Sequence, residues 1–129
     1  MTDVTVLSGG GCTVIGNAIY ALANWKYIGW GTGTNPATKA ATALQAEAAE
    51  TATTKVTATS FAQSTVNYTN DTITAVGTVT CAGAGKTITE AGLFSANSGS
   101  PTMDIYGTFS GLPLSVGDAI QFTFTVTFT

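Results

Sequence analysis

Histidine and arginine are absent from this 129-residue chain, whose four lysines and seven carboxylates give a formal net charge of -3. Without His, and with Cys12 and Cys81 too far apart for a CxxC pair, the usual zinc and transition-metal constellations cannot be assembled. The many Ser and Thr hydroxyls lack an imidazole base, and there is no SxxK, so nucleophilic hydrolysis has no proton acceptor. A chain so poor in cations cannot release counterions along a row of phosphates, which excludes nucleic acid as a partner. No apolar run approaches the ~20 residues that cross a bilayer, and Met1-Thr2-Asp3 is acidic where a signal peptide is basic. These absences predict a soluble product of the cytoplasm with no membrane partner and no cofactor. In that compartment Cys12 and Cys81 are expected as buried or inert thiols rather than a bridge.

Charged residues make up 9% of the chain, against roughly 25% in an ordinary soluble domain. Thr, Ser, Asn and Gly must cover the surface, and such a surface puts little charge repulsion between copies. Self-association or incorporation into a larger assembly follows. The length suits a single domain over 1–129.

What the sequence does have is alternation. From Ala119 to Thr129, Ile120, Phe122, Phe124, Val126 and Phe128 share one parity while Gln121, Thr123, Thr125, Thr127 and Thr129 share the other, the pattern of a pleated strand. This strand is expected to anchor the core. Within 71–82, Ile73, Ala75, Val79 and Cys81 oppose Thr72, Thr74, Thr78 and Thr80, with Val76 and Gly77 as exceptions. Asn70-Asp71 is turn chemistry, which pairs 63–68 with 71–82 as a hairpin. Residues 88–94 and 103–109 form a second hairpin around the turn formers 95–101. Lys26 to Trp30 reads as a strand, as do Val4 and Val6; Ala52, Thr54, Val56 and Ala58 share a face. Gly9-Gly10-Gly11 reads as a break, and residues 1–16 as an extended arm. Helical spacing of Ile19, Leu22 and Ala23 marks a short helix over 17–24, with an extended segment as the alternative. The firmest helix is expected over 36–50, where Asn35 and Pro36 make a start signal and Ala37, Ala41, Leu44 and Ala48 make a stripe. The fold class is therefore mainly β, an antiparallel β-sandwich or jelly-roll-like domain with one short helix.

Few motifs bear on chemistry. Gly83-Ala84-Gly85-Lys86-Thr87 ends like a phosphate-binding loop, but Thr80 stands where its first Gly belongs and a strand follows where a helix is required. Gly29-Trp30-Gly31-Thr32-Gly33 lacks the third Gly of a dinucleotide fingerprint. Glu47 and Glu50 lie one helical turn apart on the expected helix, a solvated face. Glu90 shares parity with Ile88 and Phe94 and would point inward. It is a candidate buried structural carboxylate: either a bulge at Ala91-Gly92 turns it outward, or it ties loop amides together, or it marks a functional site. Trp25, Tyr27 and Trp30 form the densest aromatic group, a candidate interface or glycan platform, with core packing as the competing reading.

Several stretches together resemble small structural proteins of tailed bacteriophages, namely capsid decoration or cement proteins and related pieces of tail fibres. They are Tyr27 to Gly33, Thr42 to Glu47, Asn70-Asp71-Thr72, Ile88 to Phe94, and Gly117 to Thr123. The resemblance implies a β-sandwich subunit, commonly a homotrimer, that binds the outer capsid surface where major capsid protein subunits meet and stabilises the head. It implies a virion location after synthesis in the host cytoplasm. The alternative is a tail-fibre or receptor-binding module that contacts host surface glycans. Such relatives often carry Arg after the helix, where this chain has Lys55.

Overall fold

A computed structural model describes residues 6–48, 55–99 and 101–129. The chain forms a helix α1 (Gly9–Leu22) and strands β1 (Tyr27–Gly31), β2 (Val56–Thr57), β3 (Ser60–Ser64), β4 (Thr72–Thr80), β5 (Lys86–Phe94), β6 (Met103–Leu114) and β7 (Ala119–Thr127). The strands build a four-stranded sheet in the order β2-β1-β5-β6 and a three-stranded sheet in the order β3-β4-β7, every named pairing antiparallel. The mainly β sandwich with one helix expected from alternation is the fold observed.

Strand parity does the sorting. Ile28 and Trp30 of β1 and Leu93 of β5 face across to Ala75 and Val79 of β4 and to Cys81 just past its end, with Ile88 completing the core between the sheets. Gly77, an exception in the β4 pattern, sits where a Cβ would stand 2.7 Å from the Ile28 methyl, so the missing side chain makes room for Ile28. The other face of the four-stranded sheet carries Tyr27, Phe94 and Glu90. A smaller apolar cluster of Leu44, Phe94 and Met103, with Tyr27, Ala41 and Tyr106 against it, lies there under the strap 32–48.

Both hairpins form, with altered limits. β3 and β4 pair from Ser60↔Val76 to Ser64↔Thr72, and the turn places Asn70 in the left-handed region at φ 58°. Strand pairing stops at Ser64 because the amides of Val66, Asn67 and Tyr68 are taken by the Asp71 carboxylate. In the β5–β6 hairpin the register shifts between Ile88 and Glu90: Ile88 opposes Leu112 while Glu90 opposes Thr108, so Phe109, Ser110 and Gly111 bulge opposite Thr89. A bulge at Ala91-Gly92, one of the alternatives open for Glu90, is not there: the two residues oppose Gly107 and Tyr106 in regular register. β7 runs alongside β4 from Thr72↔Thr127 to Thr80↔Ala119, yet it is an outer strand, and Ile120, Phe122, Phe124 and Val126 are half-buried rather than central.

The firmer of the two expected helices does not form, whereas the short one expected over 17–24 is the C-terminal part of α1 as far as Leu22. Residues 36–48 are not helical, and Glu50 lies outside the described residues. The physical reason is competition for main-chain groups. The Gln45 side chain clamps the Asn35 main chain, accepting from its N–H at 2.9 Å and donating to its C=O at 2.8 Å, so Asn35 does not cap a helix. The amides of Gln45 and Ala46 are held by Glu90, and Ala48 N–H donates to the Trp30 carbonyl. Ala-rich propensity amounts to tenths of a kcal/mol per residue and cannot outweigh these bonds.

The glycine run, expected as a break inside an extended arm, instead opens α1. The Ser8 hydroxyl accepts the Gly11 amide at the N-cap, and Ala23 closes the helix in the left-handed region at φ 53°. Small residues let α1 sit close to the β3–β4 turn: a Cβ on Gly16 would collide with the Asn70 carbonyl oxygen, and Tyr20 stacks on Phe61 at 5.4 Å. Residue Val6 is not in a strand, and Val4, Ala52 and Thr54 lie outside the described residues.

Candidate functional site

Glu90 is fully buried, and its two oxygens gather four donors. Oε1 accepts from Gly33 N–H at 3.1 Å and Ala46 N–H at 2.8 Å. Oε2 accepts from Gln45 N–H at 3.0 Å and the Tyr106 hydroxyl at 2.8 Å. The register shift before Glu90 matters here, because it keeps Ile88 in the core while Glu90 meets the strap on the opposite face. Burial pushes the carboxyl pKa up, and the bonds from Ala46, Gln45, Tyr106 and Gly33 outweigh it, so the net displacement is downward. Tyr106 is displaced upward by burial and by its bond to Glu90, which keeps its hydroxyl protonated as a donor. Gln45 also donates to the Tyr106 hydroxyl oxygen at 2.6 Å.

An ionised carboxylate with every lone-pair direction occupied has no capacity to take a proton from a substrate. Of the readings open for Glu90, the tie of loop amides is the one observed. Its work is to fasten the strap 32–48 to β5.

Asp71 repeats the device at the other sheet. It is fully buried and accepts from the amides of Val66 at 2.9 Å and of Asn67 and Tyr68 at 2.8 Å, with the Thr72 hydroxyl at 3.0 Å. Burial would raise its pKa; the four bonds prevail and lower it to about 2. Sequence reading registered Asn70-Asp71 as a turn and missed the carboxylate. The available signal was Asp immediately before a strand and after polar turn residues, the setting of a side chain that satisfies main-chain donors.

Glu47, expected on a solvated helix face, instead meets Lys55 at 2.6 Å, and the Lys55 ammonium lies 4.3 Å from the Phe94 ring centre. Lys55 is 6% exposed. The Lys55 side chain is thus turned inward.

The three aromatics do not form one platform. Trp30 is 1% exposed and meets Phe122 edge-on at 6.3 Å in the core, while Tyr27 lies on the opposite face of β1 against the smaller cluster. Trp25 is half-buried with Phe128 at 6.4 Å. Core packing is the reading observed for Trp30, which is closed to a partner. Two shallow grooves flank the strap. One, of about 390 Å³, is lined by Lys39, Ala41, Asp104 and Tyr106; the other, of about 400 Å³, by Pro36, Thr89, Phe109 and Gly111.

Gly83 and Ala84 form a bend, with Gly83 at φ 73°, and Lys86 and Thr87 already open strand β5 rather than a helix. Cys12 and Cys81 are buried free thiols. Among the described residues no group of His, Cys, Asp or Glu could hold a metal ion, and no helix is long and apolar enough to cross a membrane. Compared with family models, curated proteins and solved structures, the chain matches none.

Proposed function

We propose that this chain is a structural subunit of a tailed-bacteriophage virion, a capsid decoration protein that assembles as a homotrimer and binds the major capsid protein on the outer head surface. The observation that carries this reading is the use made of the buried carboxylates: Glu90 and Asp71 are both saturated by internal donors and serve to hold loops in place. Around that frame lies a β surface poor in charge, suited to burying area against neighbours and of no use against packaged DNA. A subunit that binds only the assembled shell stabilises it by mass action and needs no chemistry of its own.

The test is to locate the chain in a reconstruction of the particle that carries it, and to measure shell survival with and without it. Many copies over the head, and heads that burst at lower temperature or under milder chelation when the protein is missing, support the proposal. Absence from the head overturns it. A second reading, a tail-fibre or receptor-binding module, draws on the groove beside Tyr106, where an aromatic ring, Lys39 and Asp104 could meet a sugar. It requires a few copies at the tail and glycan binding that falls when Tyr106 is replaced by Ala.

A further inference from the structure

β6 is one outer strand of its sheet and β7 one outer strand of the other, with β2 and β3 at the far edges, and the link 115–118 brings β6 and β7 to one flank of the sandwich. There the ring of Phe109 meets Phe122 at 6.2 Å, and Phe122 meets Phe124 at 6.2 Å. The stack is only partly covered, Phe109 being 40% exposed, and Leu112 farther along β6 is 44% exposed. No charged residue occurs from Ile105 to Gly117 or from Ala119 to Thr129.

An outer strand offers a row of unpaired N–H and C=O groups, and natural proteins blunt such edges with lysines, prolines, inward charges or bulges. β6 carries Pro113 and the bulge at Phe109–Gly111. β7 carries none of these: its nine residues are in regular register with β4 along their whole length, with no strand on the other side among the described residues.

From these observations we infer that the β6–β7 flank is where copies of this chain meet, the β7 edge and the Phe109–Phe122–Phe124 stack of one copy being covered by a second copy. The occupant follows from charge and size. Charge on the flank is confined to Asp104 near the start of β6 and Asp118 in the link, which leaves little with which to select a charged foreign partner and little that repels its own duplicate. A face of ~30 Å by ~20 Å, the length of β7 by the width of the flank, buries on the order of 600 Å² per copy, enough for a specific interface. The inference rests on the decoration reading only in expecting copies to associate; it does not require a capsid.

Sedimentation velocity of the full chain tests it. The unmodified protein at ~50 µM should sediment as an oligomer, and Phe109→Lys with Leu112→Lys should weaken self-association about tenfold or more while leaving the circular dichroism spectrum unchanged. Thr123→Lys with Thr125→Lys, which alters only exposed side chains of β7, should do the same and serves where the first pair fails to fold. Val14→Lys, on the exposed face of α1, should leave association intact. A monomeric unmodified protein, or an oligomer that survives both flank variants, or one that only Val14→Lys dissociates, overturns the inference. Shell binding is read separately. A monomer that still decorates heads sinks this interface and spares the function, whereas a flank-dependent oligomer that ignores heads does the reverse.

Discussion

The Tyr106 hydroxyl donates to Glu90 at 2.8 Å, joining a side chain of β6 to one of β5 beneath the strap that both support. This bond completes the set of donors around the carboxylate. Removing either partner has different consequences. Tyr106→Phe deletes one donor and leaves three main-chain amides on Glu90; the expected cost is about 1 kcal/mol in denaturant unfolding. Glu90→Gln removes the charge and turns an NH₂ toward amide donors, and the expected cost is about 3 kcal/mol. In addition, the amides of Gly33, Gln45 and Ala46 should lose hydrogen-exchange protection ahead of the core strands, because the strap opens locally. Equal losses from the two variants would show that the carboxylate is not the hub.

Acid should loosen both carboxylate ties. Burial and hydrogen bonds together put Asp71 at about 2, below the ordinary 3.8, and displace Glu90 downward from 4.5. Groups whose folded pKa is depressed bind fewer protons in the native state, so their contribution is complete above the ordinary carboxylate range and is lost as pH falls through the folded values. Asp104, displaced upward by burial, opposes this with one group against two. Urea midpoints should therefore be flat near neutrality and fall between the ordinary carboxylate range and about 2. Asp71→Asn should lower stability at neutral pH and shrink that acid slope; a slope unaltered in both Asp71→Asn and Glu90→Gln would refute the assignment.

Lys55 and Glu47 make a second kind of prediction. Lys55→Met removes the ammonium from its carboxylate and from the Phe94 ring, leaving a partly buried Glu47; the expected cost is about 1–3 kcal/mol. Adding Glu47→Gln to that variant should return part of the loss, since the stranded charge is then gone. A double variant less stable than Lys55→Met would mean that Glu47 has other work.

Ala23 offers a gain. It closes α1 at φ 53°, a conformation that costs an L-residue energy and a glycine almost none. Ala23→Gly should raise stability by about 0.5–1 kcal/mol even after the greater freedom of glycine in the unfolded chain is counted. Thermal unfolding checks it, and a loss would show that the Ala23 methyl makes a contact of greater value.

Alternation of small, β-branched and aromatic residues fixed the strands of β4, β5, β6 and β7 and both hairpins, because a two-residue period is a local property and burial on one face is enough to impose it. Alternation misplaced Glu90, however: it shares parity with Ile88, and the register shift between them leaves Ile88 in the core and turns Glu90 to the strap on the opposite face. Nothing local could show which donors it meets: Gly33, the pair Gln45 and Ala46, and Tyr106 come from three places in the chain, and only folding brings them within hydrogen-bond reach. The helix expected over 36–50 is absent from 36–48, and the one expected over 17–24 reaches back through the glycine run to Gly9, on the same ground. Helical propensity is weak, so tertiary hydrogen bonds drew the Ala-rich segment into a strap, while close packing of Gly16 on the β3–β4 turn drew a glycine-rich segment into a helix. In this protein the sequence alone determined which residues could pleat and which faces they would bury. Tertiary structure decided where polar groups found their partners, because those bonds are long-range and each is worth more than the local preference it overrules.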